Sequence, residues 1–252
     1  MGKPTLSTLV VAHNEAGQLA ECLATLAFAD EIVVVLDRCT DASAAVARRF
    51  TDKVIEGAWP IEGERRNTGI AACRGDWILE VDADERAPEA LASEVRAAIA
   101  TAAPGYFLVP FDNYVGGRLI RYGWGAGWGV NFAPRLFSRG AKRWGDQRIH
   151  PKLELQGPKR FLSAPMKHLV DRDISDMIAR LDRYTTARAA DLRASGNIGT
   201  LPGNVRRLFS RFWKCYVARK GYREGGWGFL IALFAGLYPL LSHLKARLEG
   251  SL

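Results

Sequence analysis

The chain has 252 residues, enough for one sizeable core or a core with a small appendage, and an apolar share of 48% argues against a disordered chain. Four cysteines (Cys22, Cys39, Cys73, Cys215) lie scattered with no CxxC spacing, which argues against a zinc site or a disulfide framework and fits a reducing compartment. The net charge of +8 suits phosphorylated ligands, anionic lipid or nucleic acid, but the surplus lies beyond Arg118 and is dense at Arg206–Arg223, a local patch rather than a uniform nucleic-acid footprint.

Leu6–Ala12 is an apolar, β-branched run and reads as a buried strand; it is too short for a signal-peptide core. His13-Asn14-Glu15 ends it, and Gln18–Leu26 follows with helical spacing. Glu31–Leu36 is a second buried strand. Asp37–Asp41 forms its loop, where Thr40 or Asp41 can cap a helix over Ala42–Phe50. Val54–Ile55 is a short strand, Glu62–Cys73 a helix, and Trp77–Val81 a strand stopped by Asp82-Ala83-Asp84-Glu85. Pro88 opens a helix through Ala100. Continuous apolar strands alternating with helices predict an α/β fold with a mostly parallel, Rossmann-like sheet covered on both faces. Ligands of such sheets sit at the carboxyl ends of the strands, where three polar loops fall: His13–Glu15, Asp37–Asp41 and Asp82–Glu85.

The second half differs. Gly105–Asn113 and Asn131–Ser138 read as strands on either side of a Gly/Trp-rich stretch, Gly116–Gly129, expected to be a mobile loop. Ile174–Ala194 is helical, Gly196–Gly203 is turn-rich, and Val205–Leu248 reads as a helical appendage. The expected division is a catalytic domain over residues 1–172 (a ligand-binding half, 1–100, and an acceptor half, 101–172) and a helical C-terminal region over 173–252.

Asp82 and Asp84 form a D-x-D at a strand end. Two carboxylates in that spacing can converge on Mg²⁺ or Mn²⁺, and such a cation would bridge a diphosphate and stabilise its departure; the bland alternative is a solvated acidic turn. Asp37 could accept a hydrogen bond from a nucleobase or ribose, or else belong to the cap of the following helix. Arg65, Arg66 and Asn67 are candidates for phosphate contact, with a solvated helix face as the alternative.

Taken jointly, VVAHNE, VVLDRCTDAS, RRNTGIAACRGDWILEVDADE and PRLFSRG resemble family 2 glycosyltransferases of the GT-A fold, closest to lipopolysaccharide inner-core glucosyltransferases, over about residues 5–155. The resemblance implies that Ala12, Asn14 and Glu15 line a nucleotide pocket, that Asp37 meets the base, that Asn67 lies near the nucleotide, and that Asp82 and Asp84 hold the diphosphate and metal. It implies inverting transfer of a hexose, with UDP-glucose as the family-based donor. Inversion needs a base on the acceptor side. The relatives carry a His-Glu pair after the R-L-F segment, whereas this chain reads Ile149-His150-Pro151 there. Asp146 is therefore the first candidate base and Glu154 the reserve. His150 is a candidate to ligate the metal or orient the acceptor, or is a packed histidine.

Val205–Arg223 carries seven cations and no acid, with Leu208, Phe209, Phe212, Trp213, Tyr216 and Val217 between them at helical spacing. A basic helix with an aromatic face predicts binding to an anionic membrane surface. Trp227–Leu241 is uncharged and apolar but shorter than the roughly 20 residues needed to cross. It reads as an interfacial or re-entrant anchor, or as a docking helix. These readings together predict a peripheral or monotopic enzyme at the cytoplasmic side of the bacterial inner membrane, acting on a lipid-linked glycan and not on nucleic acid. A polyprenyl-phosphate glycosyltransferase is the alternative. A sugar-nucleotide pyrophosphorylase would want a glycine-rich phosphate loop, which His13-Asn14-Glu15 is not. A non-enzymatic basic binder would leave three acidic strand ends without a purpose.

Overall fold

The computed structural model describes residues 2–125, 129, 131–146 and 152–249. Its elements in chain order are β1 (Leu6–Ala12), α1 (Ala16–Ala24), β2 (Glu31–Asp37), α2 (Ser43–Ala47), β3 (Val54–Gly57), α3 (Glu62–Ala72), β4 (Trp77–Asp82), β5 (Glu85–Arg86) and α4 (Glu89–Thr101). Then follow β6 (Tyr106–Val115), β7 (Arg118–Leu119), β8 (Phe132–Ser138), β9 (Lys142–Trp144), β10 (Leu153–Leu155), β11 (Lys159–Phe161) and β12 (Met166–Asp171). Three α-helices close the described chain, α5 (Ile174–Ala194), α6 (Leu201–Trp213) and α7 (Gly226–Leu248), with short π and 3-10 turns over Lys214–Ala218 and Gly221–Glu224 between the last two.

The chain divides into two compact units, one of residues 1–111 and 131–168, the other of residues 112–130 and 169–252. The second unit thus takes in the Gly/Trp-rich stretch and the ends of β6 and β12 together with the C-terminal helices.

In the first unit the sheet runs β3-β2-β1-β4-β8-β6-β12-β5. β1, β2, β3 and β4 are parallel, with Val10 beside Val34 on one side and beside Val81 on the other. From β4 to β8 and from β8 to β6 the pairing is antiparallel. This is the expected α/β class. Alternation along β1 explains the double coverage: Leu6, Val10 and Ala12 join one core with Leu19 and Leu23 of α1 and Leu91 and Val95 of α4, while Leu9 and Val11 join another with Val33, Val35, Ile78 and Phe137. α3 sits close on that second face because residue 69 is glycine; a Cβ there would lie 2.4 Å from a Leu9 methyl.

The second unit is an α-helical cluster. α7 buries Ile231, Ala232, Phe234 and Ala235 in a core shared with Met177 and Leu181 of α5 and Cys215 beyond α6. α6 and α7 approach closely at Gly236, where a Cβ would meet the Leu208 carbonyl at 2.7 Å. α7 is longer than the apolar run suggested and continues through Pro239; by length and composition it could cross a membrane, yet 50% of its most apolar window is buried inside the unit. The described part of the Gly/Trp-rich stretch is anchored, not loose: buried Glu224 accepts the backbone N–H groups of Arg121 and Tyr122 at 2.8 and 3.1 Å.

Candidate active site

The carboxyl ends of β1, β2 and β4 meet in the first unit, and their loops are locked by short polar contacts. Asn14 has φ +56°, a left-handed conformation that asparagine tolerates well among side-chain-bearing residues. Its Oδ1 accepts the N–H of Thr40 at 2.7 Å and of Asp41 at 3.3 Å. Asp41 in turn accepts from the N–H of Ser43 and of Ala16, so it ties the starts of α1 and α2 together. His13 Nδ1–H donates to the Asp37 carbonyl at 2.6 Å. Ala12 is buried at the end of β1, and Glu15 accepts from the Gln18 amide.

Asp37 is buried and its carboxylate is heavily committed. Arg38 grips it with two hydrogen bonds of 2.9 and 2.8 Å, Arg65 donates at 3.1 Å, and the Trp59 N–H donates at 3.1 Å. Burial alone would raise its pKa, but the Arg38 pair and the Trp59 N–H outweigh it and hold the carboxyl below its ordinary range. A base reaching Asp37 therefore competes with Arg38, whose side chain is largely exposed.

A denser charge network underlies β4. Glu80, fully buried, pairs with Arg66 of α3 and with Lys142 of β9, the latter at 2.5 Å. Asp82 is clamped by two guanidiniums, Arg66 at 3.2 Å and Arg135 of β8 in closer contact. Arg135 also pairs with Glu85, whose second oxygen accepts the Asp82 N–H at 2.9 Å. Burial works against the Asp82 carboxylate, but Arg135 and Arg66 prevail and hold its pKa far down. At Glu85 burial prevails, helped by Asp82 and Asp84 against Arg135, and the carboxyl is pushed up to about 7. The Arg66 guanidinium lies 5.0 Å from the Trp144 ring centre, and Asn67 brackets the same residue, donating to its carbonyl at 2.7 Å and accepting its N–H at 3.0 Å.

Asp84, Glu85 and His168 bring one ligating atom each within 4.8 Å of one another. The antiparallel pairing of β5 with β12 places His168 opposite Glu85, and His168 Nε2 lies 3.5 Å from Asp84 Oδ2. Among the described residues this is where a divalent cation would find carboxylate and imidazole together. The expected set of Asp82, Asp84 and His150 is thus redistributed: Asp82 is neutralised by arginines, Asp84 stands with Glu85 and His168, and His150 lies outside the described residues. His168, Arg135, Glu80 and Lys142 carried no role in the sequence reading. A polar residue inside the strand run Met166-Lys167-His168-Leu169-Val170 was the available signal for His168, and Arg135 stood in a segment already singled out.

Of the candidate bases, Asp146 follows β9 with a side chain 70% exposed and a 4.0 Å approach to Arg143. Glu154 is exposed on β10, opposite Arg143 in the β9–β10 hairpin. The residue before Asp146, Gly145, packs against Gly63 at the start of α3, the helix that carries Arg65 and Arg66.

The family model for glycosyl transferase family 2 matches residues 7–150, more than half of the chain. The chain belongs to glycosyl transferase family 2. Its parallel β3-β2-β1-β4 sheet, extended by antiparallel strands, is the mostly parallel α/β layout that the sequence predicted. As a member of the family it is a glycosyltransferase. It is similar to the lipopolysaccharide core biosynthesis glycosyltransferase LpsC of Rhizobium meliloti, 25% identical with 96% of this chain and 92% of that one aligned. An uncharacterized glycosyltransferase of Rickettsia bellii is 23% identical over 96% of this chain and 86% of its own length. Among solved structures, S. aureus TarS (residues 1–349) in complex with UDP-GlcNAc aligns at 17% identity and TM-score 0.48, over 66% of this chain and 58% of that one.

Proposed function

We propose that this family 2 enzyme transfers a hexose, glucose from UDP-glucose in the first instance, to a lipopolysaccharide-core or related surface-glycan acceptor. The proposed place is the cytoplasmic face of the bacterial inner membrane, and the proposed chemistry is single displacement with inversion. The observation that carries the chemistry is the Asp84–Glu85–His168 cluster beside the clamped Asp82, at the strand ends where the nucleotide loops converge. The near end-to-end similarity to LpsC supports the acceptor class.

The donor set fits a cation. Asp84 faces an imidazole and, among the described residues, no guanidinium, and Glu85 stands behind it. Asp84 and His168 would hold Mg²⁺ or Mn²⁺, which when bound supplies charge neutralisation to a diphosphate leaving group. On the elements that carry the site, Arg65 Nε, Arg135 Nε and Trp144 Nε1 are buried N–H donors without an acceptor among the described residues, as suits a site built for an anionic ligand. Asn14, Glu15, Ala12 and Asp37 form the proposed nucleotide side, and Asn67 holds Trp144 at its edge. Asp146 is the proposed base, reaching the acceptor hydroxyl from solvent.

The test is thermal shift with UDP-glucose and other nucleotide sugars, with and without Mn²⁺, on the wild type and on Asp84→Asn. A ligand that binds only the folded chain must raise its melting temperature. The expected result is a Mn²⁺-dependent shift with one donor that Asp84→Asn loses while keeping its own fold. A donor shift unchanged in EDTA, or in Asp84→Asn, overturns the metal assignment. Transfer to polyprenyl phosphate is the second reading, favoured by the length of α7; an acceptor assay with both lipid classes separates the two.

A further inference from the structure

We infer that the outward ridge of α6, and not the apolar α7, is the surface by which the protein seats on an anionic lipid bilayer. This inference rests on the membrane location proposed above and specifies the surface. α6 has two apolar faces. One, formed by Leu208 and Phe212 with buried Asn204 and continued by Cys215 just beyond the helix, turns into the helical unit. The other consists of Leu201, Val205, Phe209 and Trp213, one every four residues, and all four are exposed; Phe209 keeps 67% of its surface and Trp213 64%. It continues into an aromatic cluster where Tyr216 packs against Tyr222 at 6.4 Å and against Phe229 at 6.0 Å, and both of those are half exposed.

Cations border this ridge. Arg206 lies exposed on α6 beside the ridge, Lys214 directly follows Trp213, and Lys220 and Arg223 lie exposed beyond it. Residues 192–223 contain no acid, and Glu224 is buried on the backbone of Arg121 and Tyr122. An apolar, aromatic ridge edged by unneutralised cations matches the layering of a bilayer surface, with acyl chains below and anionic headgroups above. A second copy of the chain fits less well, because a symmetric interface would bring the same cations face to face. α7 is the weaker anchor, since much of its apolar side is already used against α5 and α6.

The experiment is flotation of the full-length chain with phosphatidylglycerol-containing and pure phosphatidylcholine vesicles, for the wild type and for Phe209→Ser/Trp213→Ser. Both substituted side chains point out of the core, and unaltered donor binding verifies the fold. The expected result is flotation of the wild type with anionic vesicles only, reduced about tenfold or more in the double variant. Equal flotation of both proteins would overturn the ridge while leaving the membrane location standing. No flotation of the wild type would overturn both. A concentration-dependent wild-type dimer that the double variant loses, seen by light scattering in the absence of vesicle binding, would assign the ridge to self-association instead.

Discussion

Asn14 shows how much a single side chain carries at the mouth of this site. It holds a left-handed backbone and, with one oxygen, satisfies two N–H groups of the next strand loop. Asn14→Ala removes that acceptor and places a less tolerant residue at positive φ, so a loss of about 2 kcal/mol is expected in urea unfolding. Asn14→Asp keeps both the acceptor and the tolerance and should lose far less. Equal losses would mean that the loop is held by something else. Asp37 sits one strand over with Arg38 folded across it, also at positive φ, 50°. The sequence located Asp37 correctly at a strand end. It gave no sign that neighbouring Arg38 would occupy the carboxylate, because a bidentate grip depends on backbone angles rather than on residue type.

At the scale of elements, Glu80 ties three of them together: β4, which carries it, α3 through Arg66, and β9 through Lys142. Burial disfavours its charge, but Lys142, Arg66 and Arg135 prevail and lower its pKa from 4.5 to about 2. A folded pKa below the unfolded one stabilises the protein above about pH 4.5, and that contribution, on the order of 3 kcal/mol, drains away as pH falls toward 2. Glu80→Gln is expected to destabilise at pH 7 by about 3 kcal/mol and to flatten the acid limb of the stability curve, because it leaves Lys142 and Arg66 short of a buried counter-charge. Parallel urea titrations from pH 7 to pH 3 measure both effects. An unchanged acid limb would show that other carboxyls govern it. The β9–β10 hairpin supplies the contest between bases. Asp146→Asn is expected to abolish transfer while leaving the donor dissociation constant within about threefold, since a base meets the acceptor rather than the nucleotide. Glu154→Gln, on an exposed strand position, should be mild. Calorimetric donor titration paired with a transfer assay decides it, and a dead Glu154→Gln beside an active Asp146→Asn reverses the assignment.

At the scale of the whole molecule, the candidate cation site joins residues far apart in the chain: Asp84 just after β4, Glu85 on β5, and His168 on β12. His168→Ala is expected to weaken Mn²⁺ binding about tenfold or more, read by titration of the metal itself. His168 also packs edge-on against Phe111, with ring centres 6.0 Å apart, so melting temperature must be followed alongside. His168→Asn, which retains bulk and polarity, separates packing from ligation. Wild-type metal affinity in both variants would remove His168 from the site. The helical unit shows the same dependence on distant partners. α5 lays Met177 and Leu181 against α7, so a chain cut before Val205 would expose that core and lose more than the exposed ridge of α6.

The sequence by itself determined the strands β1, β2 and β4, the helix α5 to the residue, and the three polar loops at the strand ends. Those features follow from local pattern: continuous apolar runs, helical spacing, and turn residues that cannot continue a strand. It also placed Asp37 and Asp82 at the ends of their strands and Asp84 just beyond. What only the tertiary structure decided is which of these carboxylates is available. Asp82 and Asp84 are alike as a motif, yet Arg66 and Arg135 arrive from α3 and β8 to neutralise the first, while β12 delivers His168 to the second. The same holds for the tail, where the most apolar segment was the obvious anchor on composition and the fold turned much of it inward. Composition measures how much apolar surface a segment has, but which side of it meets water is settled by the helices packed against it.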